Sequence, residues 1–347
     1  MNAPLRYSRD ELMRSHPYAR PHEAAGYRLH GGFLADGAYV SPRTLVRWPA
    51  VRAWGEALKA RGWPLIDASD DLLKRDGYPS FEQHKLLLAK GLGQTLWNSL
   101  TVTGIIEGRG QGLCSMVAPD MQKLIVEPLA ETATGHLNAG LLYAHGADEG
   151  GDPAKPGEGG HDAMWFAARD LVFGKGAYPA PEPPGSIARE VAGREMAELP
   201  EGFEQLIKFL MNVLMIEIRA ESFFALCMRI FRDRDLFKDR REAAELAAVL
   251  VERIRADEQS HVGYLQVLIS ELRSFTWRAA GGETASGAAI LDPVWARMVE
   301  WHGSTERDLA AARSRAAIES QVIAARGEGA GRALLSRFDA LDERVMA

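Results

Sequence analysis

Cysteine is nearly missing from this chain: two residues among 347, Cys114 and Cys227, far apart and without CxxC spacing. Disulfide scaffolds, structural zinc sites and thiolate clusters are therefore not expected, and a reducing cytoplasm fits best. There is no surplus of positive charge either. With 41 Lys and Arg against 47 Asp and Glu, the net charge is −6, and no dense basic block occurs. Neither nucleic acid nor an anionic membrane is expected as a partner. Long apolar runs are lacking as well. The longest uncharged stretch, residues 91–106, carries Gln94, Thr95, Asn98, Ser99, Thr101 and Thr103 and is too short and too polar to span a bilayer. The opening MNAPLRYSRDELMR has no apolar core of the signal-peptide kind. No GxGxxG follows a strand, and neither GxxxxGK[ST] nor GxSxG occurs, so nucleotide folds and serine hydrolases have no motif to stand on.

What is present reads as a mainly α-helical globular protein, with 46% hydrophobic and 25% charged residues. Residues 1–79 form an N-terminal extension, with a hairpin turning at Asp36-Gly37 and a helix over 42–61. Residues 80–278 form a helix bundle. Ser80 and Gln83 make a capping box for a helix running to 106, and the Gly-rich EGRGQG ends it. A segment from Ala118 reaches about Ala144, interrupted at Pro128. Residues 146–160 are loop by composition, 161–173 a short helix, and 174–200 a Pro-rich stretch within a long crossover over 146–200. Two long helices follow, 201–232 and one containing 247–272. Residues 279–347 are a C-terminal helical appendage: a small-residue linker, a helix over about 292–325, and a last helix to about Glu343.

The informative stretch is AAVLVERIRADEQSHVGYLQVLISEL, residues 247–272. Its seam of Ala247, Val251, Ile254, Leu265, Leu268 and Leu272 has core-facing helical spacing. Between its halves stand Glu258 and His261, an ExxH pair sharing one face. The preceding helix repeats the anomaly, with Glu217 and Glu221 interrupting the seam of Leu210, Leu214, Phe224, Met228 and Phe231. An unpaired buried carboxylate is costly, so these acids require either a metal ion or a cationic partner. Arg219, Arg229 and Arg255 are the cationic candidates.

The ExxH motif and the inward-facing acids resemble the ferritin-like di-iron carboxylate superfamily over about residues 80–275. In its plan two helices each give a Glu and two others each give an ExxH. The resemblance implies Glu217 or Glu221 as the third element and Glu258 with His261 as the fourth. For the first half, Glu131 and His136 are five apart and need a π-bulge to share a side. Glu158 and His161 form a second ExxH, broken by glycines. The expected ligand set is Glu131, His136, His161, Glu221, Glu258 and His261, with Glu217, Glu158, Asp162 and His145 as substitutes.

The function so implied is a non-haem di-iron oxidase or oxygenase. It would bind two Fe ions, with Mn as the alternative, take electrons from an external donor, and use O2 to hydroxylate or oxidise a small organic substrate. Glu131 and Glu258 would be the bridging carboxylates. A homodimer is compatible with this reading. The alternatives are a rubrerythrin-type peroxidase or iron-handling protein, and a metal-free helical scaffold whose acids pair with arginines. Gln94, Asn98, Thr101 and Thr103 either line a substrate or O2 pocket or make interhelical hydrogen bonds. Glu300 and His302, two apart, share no helical face and are read as surface or packing residues.

Overall fold

The computed structural model describes residues 4–73, 77–279 and 281–342. It is mainly helical, with only short two-stranded sheets. A first turn, α1 (Arg9–Leu12), is closed by a Ser8–Glu11 capping box. Two small antiparallel hairpins follow: β1 (His22–Ala24) with β2 (Tyr27–Leu29), and β3 (Gly32–Phe33) with β4 (Tyr39–Val40). The second turns through Asp36-Gly37, where Gly37 has φ +85°. Next, α2 (Arg47–Ala60) starts five residues later than the sequence predicts. Arg43 holds a left-handed φ of +58° there, which stops the helix from propagating back to Pro42.

The single helix expected over 80–106 is two. The Ser80–Gln83 capping box starts α3 (Phe81–Ala89), the chain breaks at Gly91 with φ +69°, and α4 (Gln94–Gly110) continues. The stretch expected to reach Ala144 as helix is instead irregular, built of 3-10 turns and a π turn over Leu137–Leu141. It then feeds α5 (Leu142–Gly150), which occupies part of the predicted loop. Three helices that frame the core fit the hydrophobic pattern closely: α6 (His161–Phe173), α7 (Glu201–Arg232) and α8 (Arg241–Ser274). The expected small-residue linker instead holds part of a hairpin, β5 (Thr276–Arg278) with β6 (Thr284–Ser286), and the start of α9 (Gly287–Glu300), which encloses Pro293 and does not begin at it. A π turn over Trp301–Thr305 links α9 to α10 (Glu306–Arg326), and α11 (Glu328–Asp339) closes the chain. The expected end of that last helix, Glu343, lies outside the described residues.

The apolar interior is divided. One cluster joins α2, the first half of α7, the second half of α8 and α9. The other joins α4, α6, the second half of α7 and the first half of α8. Along α7 the change falls between Ile218 and Phe224, and along α8 between Ile254 and Tyr264. Glu217, Glu258 and His261 sit at this boundary, so the polar centre is walled by hydrocarbon above and below. No helix among the described residues is long and apolar enough to cross a membrane.

Candidate metal centre

Five helices deliver seven side chains to one point. On α8, Glu258 and His261 lie one turn apart on a shared face, with Glu258 Oε2 2.7 Å from His261 Nδ1. The other oxygen, Oε1, is 3.0 Å from Nδ1 of His161, the first residue of α6. From α7, Glu217 Oε1 stands 3.2 Å from His145 Nε2 on α5. One turn after His145, Glu149 forms the hub. Its Oε1 lies 3.5 Å from His145 Nε2, 3.4 Å from His161 Nδ1 and 3.2 Å from His261 Nδ1. Finally, Glu107 of α4 places Oε2 3.8 Å from His161 Nδ1. The three histidines are fully buried, and the four carboxylates are buried but for slight exposure.

The far nitrogen of each imidazole is also occupied. His261 Nε2 is 3.2 Å from Asp148 Oδ2, His161 Nε2 is 3.3 Å from Asp257 Oδ2, and His145 Nδ1 is 2.9 Å from the Tyr264 hydroxyl. A carboxylate can only accept, so in the neutral, metal-ligating form of His161 and His261 the proton would stay on Nε2, held by Asp257 and Asp148, and leave the Nδ1 lone pair to the centre. Both backing acids are themselves held. Asp148 meets the Arg43 guanidinium and, at 2.6 Å, that of Arg47. Asp257 Oδ2 accepts from the Tyr39 hydroxyl at 3.1 Å and lies 3.3 Å from His30 Nε2.

Four carboxylates this close cannot all remain charged without compensation. Burial, then the charges of Glu107 and Glu258, push Glu149 well above the usual carboxylate range. Burial and the charge of Glu258 push Glu217 up to about 7. Burial opposes charge on His145, but Tyr264 and Glu217 outweigh it and raise this imidazole to about 10. His161 rises too, because Glu258, then Asp257, Glu107 and Glu149, overcome its burial. Against burial, hydrogen bonds from Glu149 and His161 bring Glu107 down to about 2. In the metal-free protein, protons therefore stand where cations would balance the same charge.

The donor set fits divalent metal ions. Ligand atoms of His145, Glu149, Glu217 and His261 lie within 4.8 Å of one another, as do those of Glu149, His161, Glu258 and His261. The two groups share Glu149 and His261 and so describe adjoining positions. Four carboxylates around neutral imidazoles carry the charge that two divalent cations cancel. Glu149 Oε1, Glu258 Oε1 and His161 Nδ1 are buried and make no hydrogen bond of proper geometry, although they crowd together. Among the described residues every ion-pair partner of Glu107, Glu149, Glu217 and Glu258 is a histidine. The arginines that might have satisfied these acids face elsewhere: Arg219 meets Glu306, Arg229 lies over Phe81, and Arg255 clasps Glu221.

Of the residues singled out in the sequence, His161, Glu258 and His261 converge here with the substitutes Glu217 and His145. Glu131, His136 and Glu221 do not. Glu131 is on the surface, 3.2 Å from Arg6. His136 is buried against Trp54, with one nitrogen accepting the Tyr7 N–H and the other 2.7 Å from the Thr132 carbonyl. The π turn lies after it, at 137–141, and does not bring Glu131 round. Glu221 receives Arg255 Nε at 2.8 Å. The substitute Glu158 faces Arg28, and Asp162 lies beside Gly108 outside both groups. His302 is buried and 3.2 Å from Asn212, a packing residue. Glu107, Glu149 and the backing pair Asp148 and Asp257 were missed, although the HxxxE spacing of His145 and Glu149 was available as a signal. No protein family, curated protein or solved structure matches the chain.

Proposed function

We propose that this chain binds two divalent metal ions, iron with manganese as the alternative, and oxidises a small organic molecule with O2 and electrons from an external donor. The observation carrying this reading is the convergence of four carboxylates and three imidazoles with no Lys or Arg partner among the described residues. Carboxylate and imidazole ligands without thiolate suit iron or manganese. Iron held in this way, once reduced, supplies O2 activation.

The chain's own residues do the rest. Asp148 and Asp257 fix the tautomer and tilt of His261 and His161. Glu149 and Glu258 each face both of these imidazoles and are the natural bridging groups. The two apolar clusters keep water from the centre. Glu107 reaches from the centre to a cavity of about 280 Å³, walled by α4, α7 and α10, which gives a substrate its approach. The order of contributions supports a ferritin-like bundle with departures: Glu107, then HxxxE in place of ExxH, an added His161, Glu217, and the ExxH of α8.

Metal analysis after anaerobic ferrous reconstitution should find two irons per chain. The Glu258→Ala, His261→Ala double variant should lose them with its helical circular dichroism kept. Absence of iron from the parent protein, or its retention by the variant, overturns the assignment. Peroxide turnover without an organic substrate would replace oxygenation by peroxide reduction.

A further inference from the structure

The cavity beside Glu107 has a chemistry of its own. Its α7 wall is a stripe of half-buried residues at helical spacing: Ile216, Arg219, Ala220, Phe223 and Leu226. The positions between them, such as Glu217, Ile218 and Phe224, are buried. This face of α7 therefore looks into open space and not into another helix. Opposite, Ser99, Thr103 and Ile106 lead along α4 to Glu107.

Hydrogen bonding gives the cavity a direction. Ser99 Oγ donates to the Thr95 carbonyl, Thr103 Oγ1 to that of Ser99, and Ser222 Oγ to that of Arg219. With those protons committed, the three hydroxyls offer only lone pairs to a ligand. Donors come from Arg219 and Arg307 on the α7–α10 side. His84 also lines the space. It is 2% exposed, its ring has no hydrogen-bond partner among the described residues, and burial brings its pKa down to about 4, so it is a neutral imidazole. The walls hold two guanidinium groups against Glu306, which Arg219 faces at 2.8 Å, and Glu107, whose charge belongs to the metal centre. Arg307 Nε meets the exposed Asp308 Oδ1 at 3.1 Å, and a guanidinium carries five N–H donors, so neither arginine is saturated by its single carboxylate partner.

We propose that this cavity takes a small amphipathic carboxylic acid, with its carboxylate at Arg219 and Arg307 and its apolar body against Ile106, Ile216, Phe223 and Leu226. Its oxidation at the end beside Glu107 rests on the metal reading above; its binding does not. A planar guanidinium pairs with a carboxylate more specifically than with any neutral oxygen.

The test is calorimetric titration of the protein, as purified and after ferrous reconstitution, with three probes of matched body: 3-phenylpropanoate, 3-phenylpropanol and 3-phenylpropylamine. The acid should bind about tenfold or more tighter than the other two in both forms. Arg307→Gln, at the half-exposed rim, should remove about tenfold of the acid's affinity and leave that of the alcohol unchanged. Leu226→Trp should fill the cavity and abolish binding with circular dichroism unchanged. Equal or better binding of the amine, no binding of any probe, or indifference to Leu226→Trp overturns the proposal. Failure of the metal reading would show separately, as absence of iron, because probe binding is read without turnover.

Discussion

The two halves of the centre are backed differently. Behind His261, Asp148 is clamped between Arg43 and Arg47, all fully buried, and their charges hold it far below the usual carboxylate range against its burial. Behind His161, Asp257 is shared by an imidazole and a phenol, His30 and Tyr39, with no permanent cation in contact among the described residues. His161 and His30 depress its pKa, again against burial. The first support is a fixed ion triad, and the second an anion held by hydrogen bonds from His30 and Tyr39. Removing a member should cost fold on the first side and ligand affinity on the second.

The largest effect is expected from Asp148→Ala, which strands two guanidinium groups in the interior. A loss of about 3–5 kcal/mol is expected, measured by urea denaturation; a loss below that range would show that Arg43 and Arg47 find other partners. Next comes pH. His145 and His161 have raised pKa values in the metal-free protein and so hold protons at neutrality, with Glu149 raised beside them, whereas a ligand must be unprotonated. Loading must release those protons. Affinity for ferrous ion should weaken about tenfold per pH unit for each proton displaced as pH falls, with the contribution of His145 levelling off above about 10. Proton release in weakly buffered solution checks this, and its absence would refute it.

Asp257→Asn should be gentler than either. Asparagine still accepts from Tyr39, so the fold should stand, while ferrous affinity drops about 10–100-fold as His161 loses its anionic support. A melting temperature lowered as far as in Asp148→Ala would erase the contrast between the halves. Tyr39→Phe is expected to matter least, about 0.5–1.5 kcal/mol in denaturation, since one of the contacts to Asp257 disappears and no charge is stranded.

How much of this could be read from the sequence follows the same divide. Glu217, Glu258 and His261 interrupt long apolar seams on continuous helices, and an acid in such a seam is conspicuous. Glu221 was read with them, yet four residues advance a helix by a turn plus about 40°. That drift is enough to bring Glu221 to Arg255. The first half was hidden by glycine. Gly146 and Gly150 look like loop residues, but they allow α5 to lie against the end of α4 and the turn that follows. A Cβ on Gly146 would stand 2.7 Å from the Cys114 nitrogen, and one on Gly110 2.7 Å from Glu149 Cγ. Close approach, not turning, explains them. The same misreading ended α4 at 106, one residue short of Glu107. Asp148 and its arginines could not be found by spacing at all, since about a hundred residues separate them.

Arg43 and Arg47 also change what counts as the minimal unit. They belong to the stretch before and at the start of α2, yet their guanidinium groups end inside the helical core on Asp148. A shortened protein beginning at residue 80 would retain all seven inward-facing ligands and still enclose an uncompensated anion behind His261. The centre is complete only where residues 43–47 pack back onto the helices that follow them in sequence.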